Sequence, residues 1–199
     1  PYSWGAETPL SNFEIRLDDA TRPRQDPAIT VAFDLDLAHG DPGPMRILAW
    51  TTTPWTLPSN LALAVGPDVE YSLRRDADGT VFVLGADAVE RYAAQLEGTT
   101  DVGTCSGTDL VDRTYRPLFD FFAERIDAFR VLAADFVDAS DGTGVVHMAP
   151  GFGEDDQVTC EAAGIEIGQV IPVDDRGCFT ADVTLWAGTN VFEANPDII

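Results

Sequence analysis

The sequence contains no lysine, and all 12 of its basic residues are arginine. They face 34 acidic residues, which gives the 199-residue chain a formal net charge of −22 at pH 7. Such a surface repels phosphate backbones and anionic lipid, which argues against a free-standing nucleic-acid-binding protein or a membrane-surface protein. No apolar run approaches the roughly 20 residues of a membrane-spanning helix, and the N-terminus lacks the pattern of a signal peptide. We therefore expect a soluble, cytoplasmic protein that needs no membrane.

Cysteine and histidine are also scarce. Cys105, Cys160 and Cys178 form no C-x-x-C pair, and His39 and His147 do not lie at zinc-binding spacing from them, so no metal site and no disulfide are expected. The glycine-rich phosphate loops of nucleotide-binding proteins are absent, as is the G-x-S-x-G motif of serine hydrolases. The sequence therefore predicts no cofactor and gives no support for covalent serine catalysis.

Apolar residues mostly recur with a period of two, which is typical of strands with one buried face. We expect strands at Ala28–Leu37, Arg46–Thr53, Glu70–Arg75, Val81–Leu84, Phe129–Val137, Val145–Met148 and Gln169–Val173. Helical spacing is convincing only at Ala86–Leu96 and at Glu154–Gly164, which starts with three acidic residues and closes on glycine. This pattern predicts a β-rich α+β fold in which a sheet curls toward a barrel with two or three peripheral helices. No repeat or linker divides residues 1–199, so we expect a single domain, which reads as a piece of a longer chain.

Three consecutive threonines follow an apolar strand and precede a Pro-Trp-Thr-Leu-Pro loop that ends at Asn60. A structural interpretation is available, because threonine suits strands, Pro54 ends a strand by lacking an N–H group, and asparagine favours turns. A functional interpretation is also available. Successive strand side chains point to opposite faces, so hydroxyls at a strand end can line a pocket and position water or a ribose.

A second segment, DGTGVVHMAPGFGEDDQ at 141–157, runs from a glycine-rich turn through a short apolar strand to His147 and an acidic helix start. A histidine in such a position is more often structural than catalytic. Acidic residues in a first helical turn are stabilised by the helix dipole by a few tenths to about 1 kcal/mol, which is a sufficient reason for their presence. Neither segment alone predicts an activity.

Together and in this order, WTTTPWTLPSN and GTGVVHMAPGFGEDD resemble the signatures of the editing domain inserted into isoleucyl-tRNA synthetases, which are class I aminoacyl-tRNA synthetases. The resemblance extends through YRPLFDFF, IPVDDRGCFT and GTNVFEANPDII, and thus over nearly the whole chain. Valyl and leucyl editing domains share the threonine-rich strand, but they characteristically have Thr-Thr-Arg-Pro there and no histidine at the position of His147. The isoleucyl type is favoured. A valyl or leucyl type and a non-catalytic insertion that docks the tRNA end remain the alternatives.

The resemblance implies a distorted β-barrel that removes valine from mischarged tRNA(Ile) by hydrolysing the ester and excludes isoleucyl-tRNA(Ile) by size. A hydrophobic pocket distinguishes one methylene by only about 1–3 kcal/mol, a limit for which this family is itself the known example, so a second site is needed. The ATP-binding core is expected to be absent. The chain has no H-I-G-H signature and, without lysine, no K-M-S-K-S loop.

Carried over to this sequence, the catalytic positions are Thr51, Thr52, Thr53 and Asp156, and the substrate-binding positions are Trp50, Asn60, His147 and Asp156. The resemblance implies that Asp156 pairs with the α-ammonium group of the substrate. The threonine hydroxyls would contact the ribose, the carbonyl or the attacking water, and His147 would form a wall that excludes longer side chains. Asn60 would hold the loop or bind the terminal nucleotide. For Trp50 and Trp55, core packing and stacking on the terminal adenine are equally open interpretations.

The implied partners are the 3′ end of tRNA(Ile) carrying valine and the catalytic core of the parent synthetase, and the isolated domain is expected to be a monomer. The net charge of −22 conflicts with a role on tRNA unless the rest of the synthetase supplies most of the affinity. A local basic rim is a further expectation. Its candidates are Arg74, Arg75, Arg113, Arg116 and Arg130.

Overall fold

The computed structural model describes residues 2–3, 8–17, 20, 23–168 and 170–199. Strands predominate in these parts of the chain. The strands are β1 (Tyr2–Ser3), β2 (Thr8–Pro9), β3 (Ile29–Asp34), β4 (Met45–Thr51), β5 (Ala62–Val65), β6 (Glu70–Arg75), β7 (Val81–Gly85), β8 (Thr100–Ser106), β9 (Arg130–Ala133) and β10 (Val145–Met148). The α-helices are α1 (Gly107–Leu110), α2 (Glu154–Ala162) and α3 (Val191–Ile198), and short 3-10 helices occur at Glu14–Arg16, Pro54–Ser59, Ala86–Ala88 and Asp120–Phe122.

Eight strands form one curled sheet in the order β8-β6-β7-β4-β10-β5-β9, and β3 pairs with β4 outside this path. Residues 46–51 of β4 pair antiparallel with β3 along one edge. Its other edge has two successive parallel neighbours, since Met45–Ile47 pairs with β7 and Trp50 pairs with Val146 of β10. Two strands that share one edge in this way curl the sheet into a half-barrel. The predicted β-rich fold with a sheet curled toward a barrel is confirmed.

The core lies inside this curl. Phe33, Ile47 and Val83 are fully buried on the inner faces of β3, β4 and β7, and along β4 buried residues alternate with more exposed ones. β5 differs because it lies between β10 and β9 and all four of its residues are buried. A strand covered on both faces shows no period of two, which explains why β5 is not predicted from the sequence.

The predicted helix at Ala86–Leu96 is wrong, because only Ala86–Ala88 forms a 3-10 helix and a series of turns follows. Tertiary contacts determine the conformation of this segment. The guanidinium group of Arg91 donates hydrogen bonds to the carbonyl oxygens of Ala139 and Gly142, and the buried Leu96 packs with Leu84. Helical spacing of apolar residues is thus overridden by attachment of the segment to the neighbouring loop.

Two further differences between the sequence prediction and the structure concern the C-terminal part of the chain. Of the predicted strand at Gln169–Val173, Gln169 lies outside the described residues, and the remainder makes only an isolated bridge between Val173 and Phe179. α3 is a helix that the sequence did not indicate, since Pro196 lies inside it; its start is capped by Asn190, whose Oδ1 accepts a hydrogen bond from the N–H of Phe192.

The predicted helix at Glu154–Gly164 is confirmed as α2, which ends at Ala162 and is followed by Gly164 at φ +78°. Glycine adopts this left-handed conformation without the steric cost that a side chain imposes, and it commonly ends helices. In the described part of the chain, no helix has the length and apolar character required to cross a membrane.

A close backbone approach at Gly107 generates the first prediction. A Cβ at this position would lie 1.9 Å from the carbonyl oxygen of Gly66, and neither group can move as a side chain would. Gly107→Ala should therefore lower the free energy of unfolding by about 3 kcal/mol or more, measured by urea unfolding. Gly168→Ala is the matched control, because no atom lies within 4 Å of its Cβ position, and it should change stability by less than about 0.5 kcal/mol. Equal free energies of unfolding for the two variants would contradict the close approach of Gly107 to Gly66.

Candidate functional site

A cavity of about 330 Å³ lies where β4 ends beside β10. It is lined by Trp50, Thr51, Thr52, Thr53, Trp55, Thr56, Val146, His147, Ala149, Phe152 and Asp156. The parallel pairing of Trp50 with Val146 brings together the threonine segment and the histidine segment, which are far apart in the sequence. Every residue predicted for the site lines this cavity except Asn60.

The three threonines differ in their surroundings. Thr51 is buried, and its Oγ1 accepts a hydrogen bond from the N–H of Thr53 at 3.1 Å. The Oγ1 of Thr53 lies 3.4 Å from that of Thr51 and 3.3 Å from that of Thr56. Thr52 is exposed, and its hydroxyl has no hydrogen-bond partner among the described residues. Thr51 therefore braces the turn, whereas the hydroxyl of Thr52 is available to a ligand.

The Pro-Trp-Thr-Leu-Pro segment forms a buried 3-10 helix at Pro54–Ser59, and Asn60 follows it. Asn60 is buried behind His147 and does not reach the cavity. Its Nδ2 donates a hydrogen bond to the carbonyl oxygen of Ala62 at 2.8 Å and also lies 2.8 Å from Nδ1 of His147. This arrangement suits a residue that holds the loop, which is one of the two roles expected for Asn60.

His147 lies on β10 with 7% of its surface exposed. Its Nε2 is 3.0 Å from Oγ1 of Thr56, which itself donates a hydrogen bond to the carbonyl oxygen of Thr53 at 2.8 Å. Burial lowers the pKa of His147 to about 4, since the charged imidazolium loses its hydration in the interior. At neutral pH the ring is therefore uncharged, and both of its nitrogens have partners.

Asp156 is in the first turn of α2, where its side chain folds back toward Gly153. Its Oδ2 accepts a hydrogen bond from the N–H of Ala149 at 2.9 Å, while its Oδ1 has no partner among the described residues. Burial raises the pKa of Asp156; the bond from Ala149 lowers it, and the neighbouring carboxylate of Asp155 raises it further. A half-buried carboxylate with one unpaired oxygen favours a cation as its ligand.

Four of the lining residues are not predicted from the sequence, namely Thr56, Val146, Ala149 and Phe152. For Trp55 the sequence allows either core packing or contact with the ligand. The ring of Trp55 meets that of Phe152 edge to face at 5.0 Å and that of Phe192 at 6.3 Å, so it both packs against neighbours and faces the cavity. Trp55 and Thr56 belong to the Pro-Trp-Thr-Leu-Pro loop of the sequence analysis. Their position in this loop is the sequence feature that could have indicated them as site residues.

The expected basic rim is not present at this cavity, because none of its lining residues is an arginine. Three of the five candidates, Arg74, Arg113 and Arg130, instead form ion pairs elsewhere. Arg113 contacts Asp41 at 2.8 Å, and Arg130 contacts Asp112 at 3.1 Å. The local field at the cavity is thus set by Asp156.

Comparison with known proteins gives two kinds of similarity, although no family model matches the chain. The isoleucine–tRNA ligase of Rickettsia canadensis (strain McKiel) is 50% identical over 203 residues, and that of Nocardia farcinica (strain IFM 10152) is 52% identical over 206 residues. Each alignment includes 100% of this chain but only 18% and 19% of the respective relative. The chain therefore spans about a fifth of the length of these proteins.

Solved structures provide the second similarity. The crystal structure of GlLeuRS-CP1 matches with a TM-score of 0.63 at 16% identity, over 86% of this chain and 93% of that one. The editing domain of the P. falciparum cytosolic leucyl-tRNA synthetase matches with a TM-score of 0.53 at 11% identity, over 83% and 84%. At these identities the similarity establishes the fold alone.

The raised pKa of Asp156 generates the second prediction. Because the folded chain holds the carboxyl group at a pKa above its ordinary value, ionisation costs stability, and that cost appears as the pH rises through this pKa. Asp156→Asn should therefore match or exceed the parent in its free energy of unfolding at pH 7, by no more than about 1 kcal/mol. The difference should vanish below the ordinary aspartate pKa of about 3.9.

Asp155→Asn is the matched control for this measurement, since Asp155 lies in the same helical turn but is exposed. It should lower stability at pH 7 by a few tenths of a kcal/mol through the lost interaction with the helix dipole. Urea unfolding at several pH values compares the three proteins. A clear loss of stability in Asp156→Asn at pH 7 would show that the carboxylate is a structural cap.

Proposed function

The chain is similar over its whole length to one region of isoleucine–tRNA ligases and has the fold of synthetase editing domains, and on this premise we propose that it proofreads tRNA(Ile). The reaction is hydrolysis of the ester that joins valine to the 3′ end of tRNA(Ile). Isoleucyl-tRNA(Ile) is excluded by size. The domain acts in the cytoplasm as part of a larger synthetase, whose separate core performs the ATP-dependent ligation.

The observation that supports this function best is the position of Asp156. Its half-buried carboxylate, with Oδ1 unpaired, shares a small cavity with the hydroxyl of Thr52 and with the apolar side chains of Val146 and Phe152. An aminoacyl ester offers the matching groups: an α-ammonium group for the carboxylate, a ribose for the hydroxyl and a branched aliphatic side chain for the apolar wall. A charge-assisted contact with the ammonium group also distinguishes an aminoacylated tRNA end from an uncharged one.

The reaction needs little catalytic assistance from the protein, because an aminoacyl ester is already activated. Water attacks the carbonyl carbon, the bond between that carbon and the ribose oxygen breaks, and a proton from the water ends on the ribose oxygen. Asp156 fixes the amino acid, and the hydroxyls of Thr52 and Thr53 orient the ribose or the water. Holding the reactants in this geometry supplies the acceleration, with the neighbouring ribose hydroxyl as a further polar group at the reacting ester.

Selection by size would depend on how firmly the wall of the cavity is held. A volume of about 330 Å³ is at the low end of the roughly 300–1,000 Å³ typical of ligand sites. The wall includes His147, which is buried and hydrogen-bonded at both ring nitrogens, so it does not yield easily to a larger side chain. Valine then enters the cavity, and the additional methylene of isoleucine is rejected.

Deacylation of valyl-tRNA(Ile) and isoleucyl-tRNA(Ile) tests this function, with the chain alone and with a full-length isoleucine–tRNA ligase that carries it. The parent should release valine selectively. Asp156→Asn should slow this release by about 10- to 100-fold, the effect of losing a hydrogen bond to a charged group. Asp155→Asn, the exposed neighbour, should retain the parent rate and serves as the control.

Two results would count against the function. Equally slow release of both amino acids by every variant, also in the full-length enzyme, would favour a non-catalytic insertion that docks the tRNA end. Faster release of threonine from threonyl-tRNA(Val) than of valine from valyl-tRNA(Ile) would favour an editing domain of the valyl type.

The net charge generates a separate prediction about tRNA binding. No arginine lines the cavity and the chain has a net charge of −22, so the isolated domain should bind uncharged tRNA(Ile) with a Kd weaker than about 10⁻⁴ M at physiological salt. Fluorescence anisotropy with labelled tRNA over a salt series measures it. Micromolar binding by the isolated domain would show that it contributes its own tRNA surface.

A further inference from the structure

A chain of hydrogen bonds runs from the core to the cavity through His147. The hydroxyl of Tyr115 donates to Oδ1 of Asn60 at 2.6 Å, and Nδ2 of Asn60 lies 2.8 Å from Nδ1 of His147. On the other side of the ring, Nε2 lies 3.0 Å from Oγ1 of Thr56, which donates to the carbonyl oxygen of Thr53. Tyr115 and Asn60 do not line the cavity.

The donors and acceptors allow only one direction along this chain. The carbonyl oxygen of Ala62 can only accept, which fixes the amide nitrogen of Asn60 on that side and makes it the donor to Nδ1 of His147. A neutral imidazole that accepts at Nδ1 holds its proton on Nε2, and it therefore donates to Thr56. The hydroxyl of Thr56 remains free to donate to Thr53, so every group in the chain is satisfied.

Tyr115, at the far end of the chain of hydrogen bonds, is held firmly by its neighbours. The ring of Tyr115 is 3% exposed and meets those of Phe33 at 5.3 Å and Phe129 at 6.1 Å edge to face. Burial raises the pKa of Tyr115 well above its ordinary value, so its hydroxyl stays a donor. Among titratable groups, Tyr115 is linked to His147 through Asn60, and Asp156 lines the same cavity.

We propose that Asn60 and Tyr115 are positioning residues that lock His147 in its Nε2–H tautomer against Thr56 and thereby set the size limit of the cavity. A ring fixed from behind forms a rigid wall, and through Thr56 it anchors the turn at Thr53. It also follows that His147 does not accept the proton of the attacking water, because its only basic nitrogen is occupied by Asn60. The effect on substrate selection rests on the proposed function, whereas the tautomer does not.

The tautomer can be observed directly by NMR. The chain has two histidines, so ¹⁵N-histidine labelling gives two ring systems, and His39→Gln assigns them. His147 should show a protonated Nε2 and an unprotonated Nδ1 from neutral pH to well below pH 6. Asn60→Asp replaces the amide donor with an isosteric acceptor, and it should move a proton onto Nδ1. A protonated Nδ1 in the parent, or an unchanged ring in Asn60→Asp, would overturn the proposal.

Selectivity is measured with milder variants in case Asn60→Asp does not fold. Tyr115→Phe removes only the hydroxyl and should lower the ratio of valyl- to isoleucyl-tRNA(Ile) deacylation by about fivefold, the effect of one hydrogen bond. Tyr71→Phe is the matched control. Its hydroxyl is also buried and donates to the carbonyl oxygen of Gly144 at 2.6 Å, away from His147. This control should lose stability and keep the ratio.

The outcomes are distinguishable. If Tyr115→Phe keeps the same ratio as Tyr71→Phe, the positioning role is wrong even though editing occurs. If no variant, the parent included, distinguishes the two esters, the proposed function and the selectivity effect fail together. The NMR spectra then still decide whether Asn60 fixes the ring.

Discussion

The pairing of Trp50 with Val146 is the constraint on which the site depends. Along one edge of β4, β7 gives way to β10, and this change places the end of the threonine strand beside His147. The loop that leaves β10 leads directly into α2 and returns Asp156 to the same cavity. A parallel pair cannot be joined by a short turn, so residues distant in sequence must meet here. The curled sheet is therefore what assembles the cavity.

The polar groups behind the cavity impose a second constraint, because they are buried and each must find a partner. Asn60 satisfies this at three points, with Tyr115, Ala62 and His147. A network that is fully satisfied rigidifies its surroundings, whereas one missing member leaves a desolvated donor or acceptor. The same bonds that stabilise this part of the core thus hold the wall of the cavity in place, so under the proposed function stability and selectivity are linked at His147.

Sequence patterns predicted the parts that depend on local rules. Alternation along β4 and the acidic start with terminal glycine of α2 are of this kind, and both elements were confirmed. β5 was not predictable by alternation, since burial on both faces removes the period of two. The motif resemblance indicated Asp156 as a site residue, but the role of Tyr115 was inaccessible. Its hydrogen bond to Asn60 joins two loops through the core, and nothing in either local sequence indicates it.

The acidity of the chain is compatible with its proposed function, because the repulsion of tRNA and the recognition of the amino acid operate over different distances. Repulsion between exposed acidic groups and tRNA phosphates is screened over about 8 Å at physiological ionic strength. The proposed contact between Asp156 and an ammonium group would be short, and Asp156 is partly desolvated, so screening there is weaker. A domain tethered to the rest of a synthetase also meets the tRNA end at a high effective concentration, so it needs little affinity of its own. Under the proposed function, weak binding of the tRNA body would favour release of the corrected product, and the carboxylate of Asp156 would supply the recognition of the misacylated end.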